Sequence, residues 1–224
     1  MRKTALEISS VDWIRKIDNL SPYMRDELVL KIVNELVLSE AVTPYQLEKM
    51  TRMPHATLHK KIKEALQAKL IEVVETSKFR TGLQTKKYKL TPYGLIVYLA
   101  FCGSDMLVKK DAVYKKITEL LFPKWEKFLK YVQEEYALQF ICEVAEYLIG
   151  CPDNLSELMD SFFVIFISSF LRTNKHCSTD GIIAFIKSEP EYRQTFIKHL
   201  DSDIEHLNKR LDYLRKIKEQ IGNA

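Results

Sequence analysis

His55 and His59 stand four residues apart, with Ala56 and Thr57 between them and Lys60 and Lys63 just after. On a helix that spacing turns both imidazoles to one side, and two chemistries follow: shared ligation of a metal ion, or hydrogen bonding to base edges and phosphates. A structural zinc wants four ligands, and no third ligand lies beside the pair in sequence, so neither metal nor cofactor is expected. Nucleic acid suits these side chains better. The histidines can donate to bases or phosphates, Ala56 can touch a thymine methyl, and Lys60 and Lys63 suit guanine or phosphate. Catalysis has no comparable footing. The chain has no Gly-rich phosphate loop, no H-E-x-x-H and no G-x-S-x-G, and Glu134, Glu135, Glu143 and Glu146 share a helix without His partners. An enzyme is not expected.

The elements that must position these residues are legible on either side. Leu58, Ile62, Ala65 and Leu66 recur at helical spacing and form one apolar face, largely opposite His55, Ala56, His59, Lys60 and Lys63. At Leu70-Ile71-Glu72-Val73-Val74-Glu75 the period changes to that of a strand, almost without a loop. Upstream, Ser21-Pro22 and Thr43-Pro44 are two helix starts, and Pro54 opens the third helix after a turn at Arg52-Met53. Three helices with a short turn before the third form a helix-turn-helix arrangement. Downstream, strands at 71–75 and 86–90 flank 76–85, with Gly82 in the turn and Phe79 and Leu83 near the tip. Tyr88 and Leu90 alternate with Lys87 and Lys89, and Lys78, Arg80, Lys86 and Lys87 line the ribbon with cations.

The run 57–72 resembles the recognition helix and first wing strand of winged helix-turn-helix transcriptional regulators of the broad MarR- and PadR-like group, prokaryotic or archaeal. Their usual wording is T-V-x-R-x-L-K-E-L-E-x-x-G-L-I. Thr57, Leu58, Lys60, Ile62, Lys63, Glu64, Leu70 and Ile71 fill the corresponding places, and Lys69 stands where those regulators usually carry Gly. Lys87-Tyr88-Lys89-Leu90-Thr91-Pro92-Tyr93-Gly94 is similar to the Y-x-L-T-x-x-G phrase that ends their wing, where the Thr caps the next helix. The resemblance spans roughly residues 22 to 100. It implies double-stranded DNA as the partner, bound by two-fold dimers with a helix in the major groove, at half-sites about 34 Å apart.

Charge and composition agree with a nucleic-acid binder. Residues 43–90 hold eleven Lys and Arg against four Glu, a surplus of seven in a chain whose whole net charge is +4. A basic segment joined to a slightly acidic remainder suits a DNA-contacting part with a separate partner domain. Cys102, Cys142, Cys151 and Cys177 are scattered without a C-x-x-C pair, as in a reduced cytoplasmic protein, and no basic neighbourhood marks a reactive thiolate. No secretory signal is read at the N-terminus, and the apolar stretch 161–171 is about half of what spans a bilayer.

Residues 1–20 suit a short amphipathic helix. Beyond the second strand, helices are expected at about 111–122, 124–149, 155–172 and 181–187, with a last one from Pro190. That last helix carries Ile197, Leu200, Ile204, Leu207, Leu211, Leu214 and Ile221, a heptad seam broken only by Lys218. At about 1.5 Å per residue it would be about 48 Å long, and a helix of that length and regularity pairs with its copy or packs across its own domain. The reading is a mainly α protein: a winged-helix DNA-binding domain over 1–103 and a helical dimerisation or sensing domain over 104–224. Its function is sequence-specific DNA binding as a homodimeric, cytoplasmic regulator. The phenylalanine-rich 161–171 helix reads as core rather than a ligand pocket, with an apolar cavity in the helical domain for an unidentified small-molecule effector as the lesser alternative, and no membrane is involved. The alternative is a winged-helix adaptor that meets an acidic protein surface inside a larger complex.

Overall fold

Asp26 decides where the first described helix begins. The computed structural model describes residues 26–78, 84–101, 109–149 and 179–222. Asp26 Oδ1 accepts the N–H groups of Leu28 and Val29 at 3.0 Å each and caps α1 (Glu27–Val37). A carboxylate there satisfies donors that a first helical turn leaves without partners. Ser21-Pro22 lies outside the described residues, and the core helix expected to follow it starts later, at Glu27. Val29, Ile32, Val33 and Leu36 of α1 are fully buried, each contributing about 1.5–3 kcal/mol by leaving water.

α2 (Pro44–Thr51) opens as its Thr-Pro signal predicts. Gln46 N–H donates to Thr43 Oγ1 at 3.3 Å, and Thr43 N–H donates back to Gln46 Oε1 at 2.8 Å, a reciprocal capping box. Arg52 ends α2 in the left-handed region (φ 55°), and α3 (His55–Gln67) follows Pro54. A second left-handed residue, Lys69 (φ 58°), ends the descent of α3. Leu70 N–H reaches the Ala65 carbonyl at 2.9 Å and Lys69 N–H reaches that of Leu66 at 3.0 Å. This is a Schellman closure made by a lysine, where glycine would carry no steric penalty. The turn feeds the chain directly into a strand.

β1 (Ile71–Lys78) and β2 (Gln84–Leu90) pair antiparallel, Ile71 opposite Leu90. Both strands outrun the spans expected from sequence, and the turn with Gly82 lies outside the described residues. An extra residue at Val74 shifts the register between Val73 and Glu75, a bulge that sharpens the local twist. The base of the ribbon is pinned from outside. Val42 and Tyr88 exchange two N–H···O bonds, at 3.0 and 2.8 Å.

Thr91 locks the end of the ribbon to the end of α3. Its hydroxyl accepts Gly94 N–H at 2.9 Å, capping α4 (Pro92–Phe101), and donates into the carbonyls of Lys69 and Leu70 at 2.7 and 3.0 Å. Gly94 lets those backbones meet, since a Cβ there would sit 2.1 Å from the Leu70 carbonyl oxygen. α4 buries every residue from Tyr93 to Leu99. A helix apolar on all sides belongs in the middle of a core, and α4 packs on α1 and on two helices of the second half.

The described helices of the second half are α5 (Lys110–Leu120), α6 (Trp125–Phe128), α7 (Glu134–Leu148), α8 (Thr179–Ser188) and α9 (Pro190–Gly222), and α4 packs on α5 and α7. The helix expected over 124–149, with a kink allowed for, is broken into two, α6 and α7, with Gln133 in an extended conformation (φ −58°, ψ 135°) between them. Tyr93 on α4 donates its hydroxyl proton to the Ile149 carbonyl at 2.8 Å. Phe122, Phe128 and Phe185 meet edge to face with centroids 5.2–6.2 Å apart, a geometry aromatic quadrupoles favour. Lys124 and Lys127 both ion-pair with buried Glu189, tying α6 to the α8–α9 junction and holding the Glu189 carboxyl below its usual pKa.

The described fold is thus mainly helical with one two-stranded antiparallel sheet. Its buried side chains form one cluster from α1 to Phe196 on α9. The boundary expected near 103–104, the N-terminal helix within 1–20 and the 155–172 helix with its 161–171 stretch all lie outside the described residues. Among the described residues, no helix is long and apolar enough to cross a membrane.

Candidate nucleic-acid interface

α3 has two faces of opposite chemistry. Leu58, Ile62 and Ala65 are buried, while His55, Ala56, His59, Lys60 and Lys63 are exposed and Thr57 is half-buried. α3 packs by its apolar face on α1, α2 and β1. The exposed side therefore follows from burying the other: residues three and four apart share a face, and the core takes one.

Three lysines of α3 have two different fates. Lys60 is 74% exposed, its one ion pair a 4.0 Å contact with Glu64, and Lys63 forms no ion pair among the described residues. Lys61 is 13% exposed and bonded to Asp26 at 2.7 Å and Glu64 at 2.8 Å. The bond to Asp26, with that to Glu64, raises the Lys61 ammonium above its ordinary pKa. At Asp26, burial works against the charge. The bonds from Lys61, Val29 and Leu28 outweigh it and hold the carboxyl below the usual value. Lys61 thus clamps α3 to the start of α1, and Lys60 and Lys63 are left to solvent.

The histidines are positioned rather than loose. His55 Nδ1 lies 2.9 Å from Glu48 Oε2 on α2, and the His55 and His59 rings meet edge on with centroids 4.4 Å apart. Among the described residues, no group of three His, Cys, Asp or Glu could hold a metal. Beside them, α2 exposes Tyr45 with the Lys49 ammonium 4.5 Å above its ring. Lys49 and Arg52 belong to the basic surplus of residues 43–90, but charge alone does not assign them to the site. The signal available was their distance from His55 across a short turn.

On the ribbon, Lys86 is exposed and Lys87 half-buried. Lys89 lies 3.9 Å from Glu72 directly across the sheet, so a carboxylate shares its charge. Lys78 is the last residue of β1, opposite Gln84, and Arg80 lies outside the described residues. The Lys69 turn and the Thr91 bonds fix the ribbon base against the C-terminal end of α3. Burial pushes the phenol of Tyr88, at that base, above its ordinary pKa.

The proposed dimer seam is equally placed. Ile197, Leu200, Ile204, Leu207, Leu211, Leu214 and Ile221 lie on α9 and are 36–73% exposed, whereas Phe196 is buried. Comparison of the chain with protein-family models, with curated proteins and with solved structures finds no match.

Proposed function

We propose that the chain is a winged helix-turn-helix regulator that binds double-stranded DNA as a homodimer. α2 and α3 form the helix-turn-helix, and the β1–β2 ribbon is the wing. The observation that carries the reading is the exposed side of α3: His55, Ala56, His59, Lys60 and Lys63 stand together on a helix whose opposite side is in the core. One helix fills a major groove, and base-edge donors flanked by cations are what that groove and its phosphates accept.

The other parts fall into supporting roles. Tyr45 and Lys49 on α2 stand where the first helix of such a motif crosses the backbone. Lys86 and Lys87 give the wing its charge. Lys61 does not contact DNA in this reading, because its ammonium is spent on Asp26 and Glu64. The test is a gel-shift series with duplex DNA from the chain's own upstream region over rising salt. Binding that weakens linearly on a log–log plot, about 0.9 in slope per phosphate neutralised, supports the reading. Absence of binding at low salt refutes it and leaves the protein-adaptor alternative.

A further inference from the structure

From residue 197 on, α9 carries an apolar seam that the described residues leave in solvent. The helix is rooted by Phe196 in the core and by Lys124 and Lys127 on Glu189, yet from Ile197 to Ile221 its seam is at least 36% exposed. We propose that this seam pairs with the same seam of a second copy, and that the two helices run antiparallel. The proposal deepens the homodimer of the preceding section by assigning its orientation, and it needs no DNA.

Charge decides the orientation. With Ile197 as the first seam position, the polar residues flanking the seam are Gln194, Asp201, Asp203, Asn208, Arg210 and Arg215, with Ile217 an apolar one. In a parallel pair, each flanking residue faces the one five places on in the other helix. Arg210 would then oppose Arg215 twice, and Lys218, a seam position, would meet its own copy. Asp212 bridges Arg215 at 3.3 Å in either arrangement, so it does not discriminate.

An antiparallel pair with Ile204 opposite Leu207 removes the Arg210–Arg215 opposition and takes Lys218 out of the paired layers. The seam closes as six apolar layers, in which Ile197 meets Leu214 of the second copy and Leu200 meets Leu211. Asp203 comes to face Arg210 of the second copy, once at each side of the two-fold axis. Asp201 faces Asn208, and Arg215 faces Gln194. Lys218 and Ile221 drop outside the last layer, Lys218 level with exposed Arg193 of the second copy, where both reach water. Opposite charges across a helix pair attract and like charges repel, so the flanks select the antiparallel form.

This orientation has a consequence for the DNA-contacting halves. Each body joins its helix near Ile197. The two attachment points are separated by the run from Ile197 to Leu214, about 26 Å at about 1.5 Å per residue. A parallel pair would put them side by side.

One substitution gives opposite signs in the two orientations. Arg210→Glu places Glu against Asp203 in the antiparallel pair and against Arg215 in the parallel one. Sedimentation equilibrium on the full chain should show Arg210→Glu weakening the dimer about tenfold, with Asp203→Arg in the same chain restoring it. Tightening by Arg210→Glu would overturn the antiparallel assignment. Leu207→Lys, at an exposed position, should give a folded monomer with an unchanged circular dichroism spectrum. A wild-type chain monomeric at about 100 μM, or a Leu207→Lys chain still dimeric, overturns the pairing itself. Either failure is distinguishable from failure of the DNA reading, because the same wild-type sample is read for duplex binding separately.

Discussion

Replacing Lys60 and Lys63 together with Ala should remove two phosphate or base contacts per protomer and leave the fold intact. Both side chains are exposed, and among the described residues the one ion pair that either makes is the 4.0 Å contact of Lys60 with Glu64. Ala is also at least as good a helix former as Lys. A dimer on one duplex loses four cations. At about 0.9 in slope per phosphate, the salt dependence of log Kd should become shallower by about 3.6. A fourfold rise in salt then costs the wild type about 150-fold more affinity than it costs the variant. Fluorescence anisotropy of a labelled duplex across four salt concentrations reads the slope, and thermal unfolding confirms the fold. Lys61→Met is the matched control. It loses a cation of the same helix, but one bonded to Asp26 and Glu64. It should lower stability by roughly 1–2 kcal/mol and leave the salt slope alone. A shallower slope with Lys61→Met, or an unchanged one with the folded double variant, refutes the division of labour among these lysines.

Other outcomes follow from the junction behind α3. Gly94→Ala sets a Cβ 2.1 Å from a backbone oxygen that cannot step aside, and should cost about 3 kcal/mol or more in chemical denaturation. Thr91→Ala removes the cap of α4 and the donor to the Lys69 and Leu70 carbonyls; a loss of about 1–2 kcal/mol is expected. Acid should unfold the protein through the ion pairs of Asp26 with Lys61 and of Glu189 with Lys124 and Lys127. Asp26 and Glu189 have carboxyl groups held below their usual pKa, so their stabilisation is present above the unfolded value and disappears as pH falls through the folded one. Melting temperature should be flat down to about pH 5 and fall below about pH 4. Removing Asp26 as Asp26→Asn should flatten part of that fall.

Local signals in the sequence were read well, and distant partnerships were not. Thr43-Pro44 and Thr91-Pro92 announce their helices because a cap needs only the next three residues, and both cap as expected. The two faces of α3 were legible from its period alone. Lys61 was not. It sits beside Lys60 in sequence, and what sets it apart is Asp26, 35 residues away. Val42 carries no strand signal of its own, and its bridge to Tyr88 appears only when α2 has brought it there. Lys69 hides a left-handed turn because the residue type argues against one. The α9 seam shows the same divide. Its spacing could be read in advance, but its exposure depends on where the rest of the chain ends up.

The central claim is that the exposed side of α3 and the wing make one surface for duplex DNA. Amide shift mapping on adding an unlabelled duplex tests it at each residue. The account predicts changes concentrated at His55 to Lys63 and at Lys86 and Lys87, fading as salt rises. Changes confined to α9 or to the second half, with α3 silent, would contradict it.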